Sequence, residues 1–124
     1  MADLDRDIRR AGAAALGPGH YALGRGYLVL DDDARARDEL LAAWRQGFRE
    51  PRVAYALALA HGYLYEQALV AAERLENREQ REARKREVEK QYRDPALSYL
   101  TASEGAEVPS TDYVAALVAY YEGA

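Results

Sequence analysis

The residues best placed for chemistry stand in the glycine-rich stretch GPGHYALGRGYLVL, positions 17–30, which holds four glycines, a histidine and two tyrosines. A glycine-rich loop ahead of a helix can bind phosphate through its backbone amides. The common phosphate-loop patterns require either a third glycine at fixed spacing or a lysine followed by serine or threonine. The stretch has neither, so we predict that its glycines serve helix packing and that the chain has no cofactor site.

The sequence shows no group of residues that would support other catalytic chemistry or metal binding. The two histidines, His20 and His61, stand outside any H-E-x-x-H pattern, and a structural zinc site needs about four ligands. The chain has no cysteine and no G-x-S-x-G elbow, so a thiol or serine nucleophile is not indicated. We predict no catalytic residue, no metal ligand and no small-molecule substrate, and we expect the histidines to line or buttress a helical groove.

Composition indicates a single all-α domain. The chain has 124 residues, a formal charge of −4 and a pI near 5.2. Alanine, leucine, arginine and glutamate, which favour helices, are abundant. The acidic balance argues against a nucleic-acid partner, and no apolar run approaches the roughly 20 residues of a membrane span. The charged N-terminus does not resemble a signal peptide, so we expect a cytoplasmic protein.

One segment, residues 76–94, is almost entirely charged. It holds six acidic and seven basic residues among nineteen, and the two signs interleave. Interleaved charges give a weak net field, and Glu82–Arg86 and Glu89–Arg93 have the spacing of favourable pairs within a helix. We therefore predict one long, solvent-exposed charged helix. A protruding arm or a dimer strut is the alternative, and nucleic-acid binding is not favoured.

Breakers and caps predict the other helix boundaries. Gly17 should break the chain beside Pro18, Asp31–Asp33 should form a turn and cap, and Gly62 should end a helix. A long helix should then end at Asp94–Pro95. The predicted helices cover 3–16, 18–30, 34–48, 51–62 and 64–93, followed by a short helix around 97–99, a loop over 103–112 and a last helix over 113–123.

An internal repeat appears when the chain is shifted by 36 positions. Five residues of the glycine-rich stretch then fall on identical residues: Ala22, Leu23, Gly26, Tyr27 and Leu28 on Ala58, Leu59, Gly62, Tyr63 and Leu64. The first copy reads His20-x2-Leu23-Gly24-x2-Tyr27, then Ala36-x3-Leu40, then Pro51. This order resembles the tetratricopeptide (TPR) repeat. The resemblance implies that Gly24 lets the paired helix approach and that Ala36 lies where the two helices cross.

The TPR resemblance implies that residues 1–124 form a single helical-repeat domain. Residues 17–51 form the first repeat, 52–94 a divergent second repeat with an extended second helix, and 95–124 an incomplete third. The whole succession resembles the repeat region that follows the catalytic domain in some bacterial serine/threonine protein kinases. No kinase catalytic motif is present, so the resemblance implies a non-catalytic part of a larger signalling protein.

The TPR resemblance also implies a function. Proteins of this class bind peptides on the concave face, which the first helix of each repeat lines. In this register the groove residues are Tyr21, Arg25 and Leu28 from the first repeat and Leu57, His61 and Tyr65 from the second. We expect a protein or peptide partner. The alternative is self-association as a homodimer, through the long charged helix and the terminal tyrosine-rich helix.

Overall fold

The described chain is built from helices that form two successive antiparallel hairpins. A computed structural model describes residues 16–104 and Ala119, and these residues contain no strand, so the all-α prediction is confirmed for them. The predictions for residues 3–15 and for the loop and last helix after residue 104 lie outside the described residues. The elements are α1 (Leu16–Val29), α2 (Asp33–Arg45), α3 (Pro51–Glu73), α4 (Arg78–Val88), a π-helical turn (Glu89–Arg93) and α5 (Asp94–Ala102).

The first hairpin is held together where α1 crosses α2 at Gly24. A Cβ atom on Gly24 would lie 2.5 Å from Leu40 Cγ, 2.7 Å from Leu40 Cδ2 and 3.3 Å from the carbonyl oxygen of Ala36. Packed carbon atoms do not approach so closely, so a larger residue at this position would force the helices apart. The predicted roles of Gly24 and Ala36 at the crossing are confirmed.

The turn between α1 and α2 follows the predicted cap. Asp31 takes a positive φ of 58°, a conformation that aspartate tolerates better than most residues. Asp32 is the N-cap of α2, and its Oδ1 accepts a hydrogen bond from the Arg35 amide at 3.3 Å. A cap of this kind stabilises a helix by about 1 kcal/mol. The cap predicted from the three aspartates is therefore confirmed.

The α2–α3 connection brings the Phe48 side chain back to the start of α1. Helix α2 ends at Arg45, three residues before the predicted end, and Gly47 takes a φ of 90°. Phe48 then folds back toward α1, where a Cβ on Gly17 would lie 2.6 Å from the Phe48 Cβ. The prediction that Gly17 breaks the chain is wrong, because Gly17 lies inside α1 and provides room for Phe48.

Helix α3 runs without interruption from Pro51 to Glu73, so the predicted break at Gly62 is wrong. Glycine inside a helix costs about 1 kcal/mol relative to alanine. Burying a large apolar side chain contributes about 1.5–3 kcal/mol. Leu57, which precedes Gly62 in the chain, and Tyr65, which follows it, are both buried. Packing therefore outweighs local propensity. The prediction of one long helix over 64–93 is wrong, because the chain turns at residues 74–77, where Asn77 Oδ1 caps α4 by accepting a hydrogen bond from the Gln80 amide at 3.0 Å.

Pro95 does not close the charged helix, contrary to prediction. The segments α4, π-turn and α5 follow one another without a loop, so residues 78–102 form one helical stretch. The Asp94 amide donates to the carbonyl of Glu89, which is the wider i to i−5 bond of a π-turn. Pro95 directly follows this wider turn and lies in the first turn of α5.

Helix α3 is the centre of the core. On one side it packs against α2 and on the other against α4 and α5, while α1 lies mainly on α2. Tyr99 of α5 contacts the buried residues on both sides of α3. The buried apolar residues of the first side are Leu40, Ala43, Val53, Ala56, Leu57 and Ala60, and those of the second are Ala58, Tyr65, Val88 and Leu100. Within residues 16–104, no helix has the length and apolar character that crossing a bilayer requires.

Candidate interaction surface

Both histidines are engaged in the fold. His20 Nδ1 lies 2.6 Å from Glu39 Oε2 and ties α1 to α2. His61 is 5% exposed, and its Nδ1 donates to the Leu57 carbonyl oxygen at 2.8 Å. Burial lowers the pKa of His61, the bond to Leu57 partly opposes this shift, and the charge of Arg37 lowers the pKa further. Among the described residues, no group of three or more metal-ligating side chains comes together.

Among the described residues, the Asp33 carboxyl is also buried. Asp33, the first residue of α2, is 8% exposed and accepts a hydrogen bond from Gln67 of α3 at 2.7 Å. Burial raises the pKa of Asp33, the Gln67 bond lowers it in part, and the neighbouring Asp31 and Asp32 raise it. This bond to Gln67 links the start of α2 to α3.

The six predicted groove residues do not form one accessible surface. Helix α1 carries Tyr21, Arg25 and Leu28, of which Arg25 is exposed and the other two are partly buried. Helix α3 carries Leu57, His61 and Tyr65, which are 0%, 5% and 2% exposed.

Helices α2 and α5 together bury the three groove residues on α3, and Leu57 belongs to the buried cluster on the α2 side. The Tyr99 ring of α5 lies 5.5 Å from the His61 ring, and Leu100 of α5 belongs to the same buried cluster as Tyr65. In this structure Leu57, His61 and Tyr65 are therefore interior residues, and a partner cannot reach them without displacing the helices packed on α3. The α1 residues of the predicted groove remain at or near the surface.

A surface of stacked arginines and aromatic rings surrounds Tyr21. We name it the arginine–aromatic surface and define it by Tyr21, Arg25, Phe48 and Arg52. The Tyr21 and Phe48 rings meet edge to face, with centroids 5.9 Å apart. The Arg52 guanidinium carbon lies 5.2 Å from each of these two centroids, and that of Arg25 lies 5.8 Å from the Tyr21 centroid. Such stacks are each worth about 0.5–1 kcal/mol at an exposed site.

The arginine–aromatic surface continues toward the end of α2. The Arg49 guanidinium carbon lies 5.4 Å from the Trp44 ring centroid, and Arg49 Nε donates to the Trp44 carbonyl oxygen at 3.1 Å. Trp44 in turn meets the Tyr99 ring edge to face at 5.5 Å. Arg49 thus lies beside Phe48 in the chain and adds a third stacked guanidinium at this end of the molecule.

Sequence reasoning found only part of the arginine–aromatic surface. Tyr21 and Arg25 are predicted binding residues, whereas Phe48 and Arg52 are not among the residues predicted to bind. The available signal was the run FREPR, residues 48–52, in which two arginines flank the helix junction at Pro51. A junction between two helices brings its side chains to one end of the bundle, and α1 reaches that end through Gly17.

A second concave region lies between α3 and α4. It is an open groove of about 390 Å³ whose floor includes Ala68, Ala71, Leu75, Val88 and Tyr92. Small side chains on α3 leave this space, because Ala68 and Ala71 face the larger residues of α4 and the π-turn. The outer side of α4 carries charges of both signs, as in the Arg84–Glu87 pair at 3.2 Å.

No protein family, no curated protein and no solved structure matches this chain. The interpretation of function therefore depends on the residues and on the geometry described above.

Proposed function

We propose that this chain is a protein–protein interaction module that binds a peptide or a helix. We further propose that its two hairpins are TPR-like repeats, and that it is a non-catalytic part of a larger bacterial signalling protein. The positions of Gly24, Ala36 and Pro51 support the proposal of TPR-like repeats. Gly24 and Ala36 lie where α1 and α2 cross, and Pro51 starts α3, as such a repeat requires.

The observation that carries the proposal is the arginine–aromatic surface. Arginine and tyrosine are the residue types that contribute most to binding energy at protein interfaces. Here Arg25 and Arg52 are exposed and lie against the Tyr21 ring. Preordered side chains lose little conformational freedom when a partner binds, so they favour recognition over mere solubility.

Selection from a random peptide display library on the full chain tests this function. We expect enriched peptides that bind the wild type and lose binding to the double variant Arg25→Glu/Arg52→Glu. The matched control is Arg78→Glu/Arg86→Glu, which makes the same change in net charge at exposed positions on α4. A library that yields no binding peptide, or peptides that lose binding equally to both double variants, contradicts the proposed function.

Self-association is a second candidate function, and the groove between α3 and α4 favours it. Charges of both signs border this groove, in the Arg84–Glu87 and Lys85–Glu73 pairs, and a second copy presents the same surface. Light scattering after size-exclusion chromatography tests this candidate. A dimer that becomes monomeric in Ala71→Glu supports it, and a monomer at every concentration excludes it.

A further inference from the structure

The stacked arginines have a specific chemical preference. A guanidinium that lies over a ring uses its planar face, and its N–H groups remain at the edges as donors. Arg25 uses one terminal nitrogen to donate to the Tyr21 hydroxyl at 2.9 Å. Arg52 uses one terminal nitrogen on Glu50 at 3.3 Å, and both side chains keep further donors facing outward.

The charge around Tyr21 is positive although the whole chain carries −4. Arg25 and Arg52 lie against one tyrosine ring and repel each other, and Arg49 precedes Arg52 in the same helix junction and lies over the Trp44 ring. Glu50 is the only acidic side chain that pairs with any of these three arginines in the described structure. A bound carboxylate would relieve this repulsion and accept the free donors.

We infer that the arginine–aromatic surface binds an acidic peptide segment, whose Asp or Glu carboxylates accept hydrogen bonds from Arg25 and Arg52. This inference rests on the proposed function, and it names the chemical class of the partner. Glu50 occupies one Arg52 donor in the free protein, so it is an internal competitor of the ligand. Arg25 lies against the Tyr21 ring, and Arg52 lies against both the Tyr21 and the Phe48 ring.

The probe is a pair of fluorescent peptides of about 12 residues, identical except that the glutamates of one are replaced by glutamines in the other. Fluorescence polarisation with the full chain measures both affinities. We expect the glutamate peptide to bind about tenfold more tightly than the glutamine peptide. We also expect this difference to shrink as salt is added, because salt screens exposed charges.

Variants of the full chain locate the contact. Arg25→Glu/Arg52→Glu should weaken the glutamate peptide about tenfold or more, while the control Arg78→Glu/Arg86→Glu should change it little. Glu50→Gln should strengthen binding about twofold to fivefold, because it removes the competing carboxylate. A damaged fold would weaken binding, so a gain of affinity in Glu50→Gln cannot be explained by misfolding.

The possible outcomes test the acidic ligand and the proposed interaction function separately. Equal affinity for both peptides overturns the acidic-ligand inference, although library peptides that bind at Tyr21 would still support an interaction module. Equal losses in the two double variants overturn the assignment to this surface. Self-association that is lost only in Arg25→Glu/Arg52→Glu would identify a second copy as the occupant and likewise overturn the inference. Failure of every peptide, including the library, overturns both the inference and the proposed function.

Discussion

Replacing Gly24 by alanine should destabilise the protein, although alanine is the better helix former. Helix propensity alone favours the variant by about 1 kcal/mol. The new Cβ would, however, lie 2.5 Å and 2.7 Å from two atoms of Leu40, which is 0% exposed. Forcing an extra carbon into such a site costs about 1–3 kcal/mol. We therefore expect Gly24→Ala to lower the free energy of unfolding by up to about 2 kcal/mol.

Urea denaturation followed by circular dichroism measures this effect. Ala22→Gly, at an exposed position of the same helix, provides the propensity term by itself and should cost about 1 kcal/mol. In a Leu40→Ala background, the atoms that would clash are gone, so Gly24→Ala should become stabilising. A wild-type background in which Gly24→Ala stabilises by the full propensity term would refute the close crossing of α1 and α2.

Three further predictions concern the core, the caps and pH. Leu57→Ala should lower the free energy of unfolding by about 2–5 kcal/mol, because this predicted groove residue is fully buried; a loss below about 0.5 kcal/mol in urea denaturation would contradict that burial. Asn77→Ala should cost about 1 kcal/mol in the same assay, whereas Asn77→Asp, which keeps the cap, should cost little. Burial lowers the pKa of His61 in the folded chain, so between about pH 6.5 and that lower pKa the unfolded chain binds the extra proton. Stability should therefore fall as the pH drops through this window, and His61→Gln should reduce the difference between unfolding free energies measured at about pH 7.5 and 5.5; an unchanged difference would contradict the lowered pKa.

The features that the sequence predicted correctly depend on local chemistry. Asp32 caps α2 because a short carboxylate beside free amides forms that bond in almost any context. Pro51 starts α3 because proline fits the first turn. The TPR resemblance implied that Gly24 and Ala36 lie at a helix crossing, and the structure places them there.

The features that the sequence did not predict depend on packing between distant segments. Gly62 continues α3 because the residues on both sides of it are buried by other helices, which no local pattern reports. Pro95 is accommodated by a π-turn, whose extra residue leaves no mark on composition. Likewise, Leu57, His61 and Tyr65 have the spacing of groove residues, and the packing of α2 and α5 against α3 decides that they lie inside.

Nuclear magnetic resonance titration of the full chain with the glutamate peptide tests the central claim most directly, because it locates the contact without any substitution. The proposed interaction surface predicts that the largest chemical-shift changes centre on Tyr21, Arg25, Phe48 and Arg52, with little change on the outer face of α4. Changes that centre on α4, or none at concentrations where the peptide is bound, would contradict it.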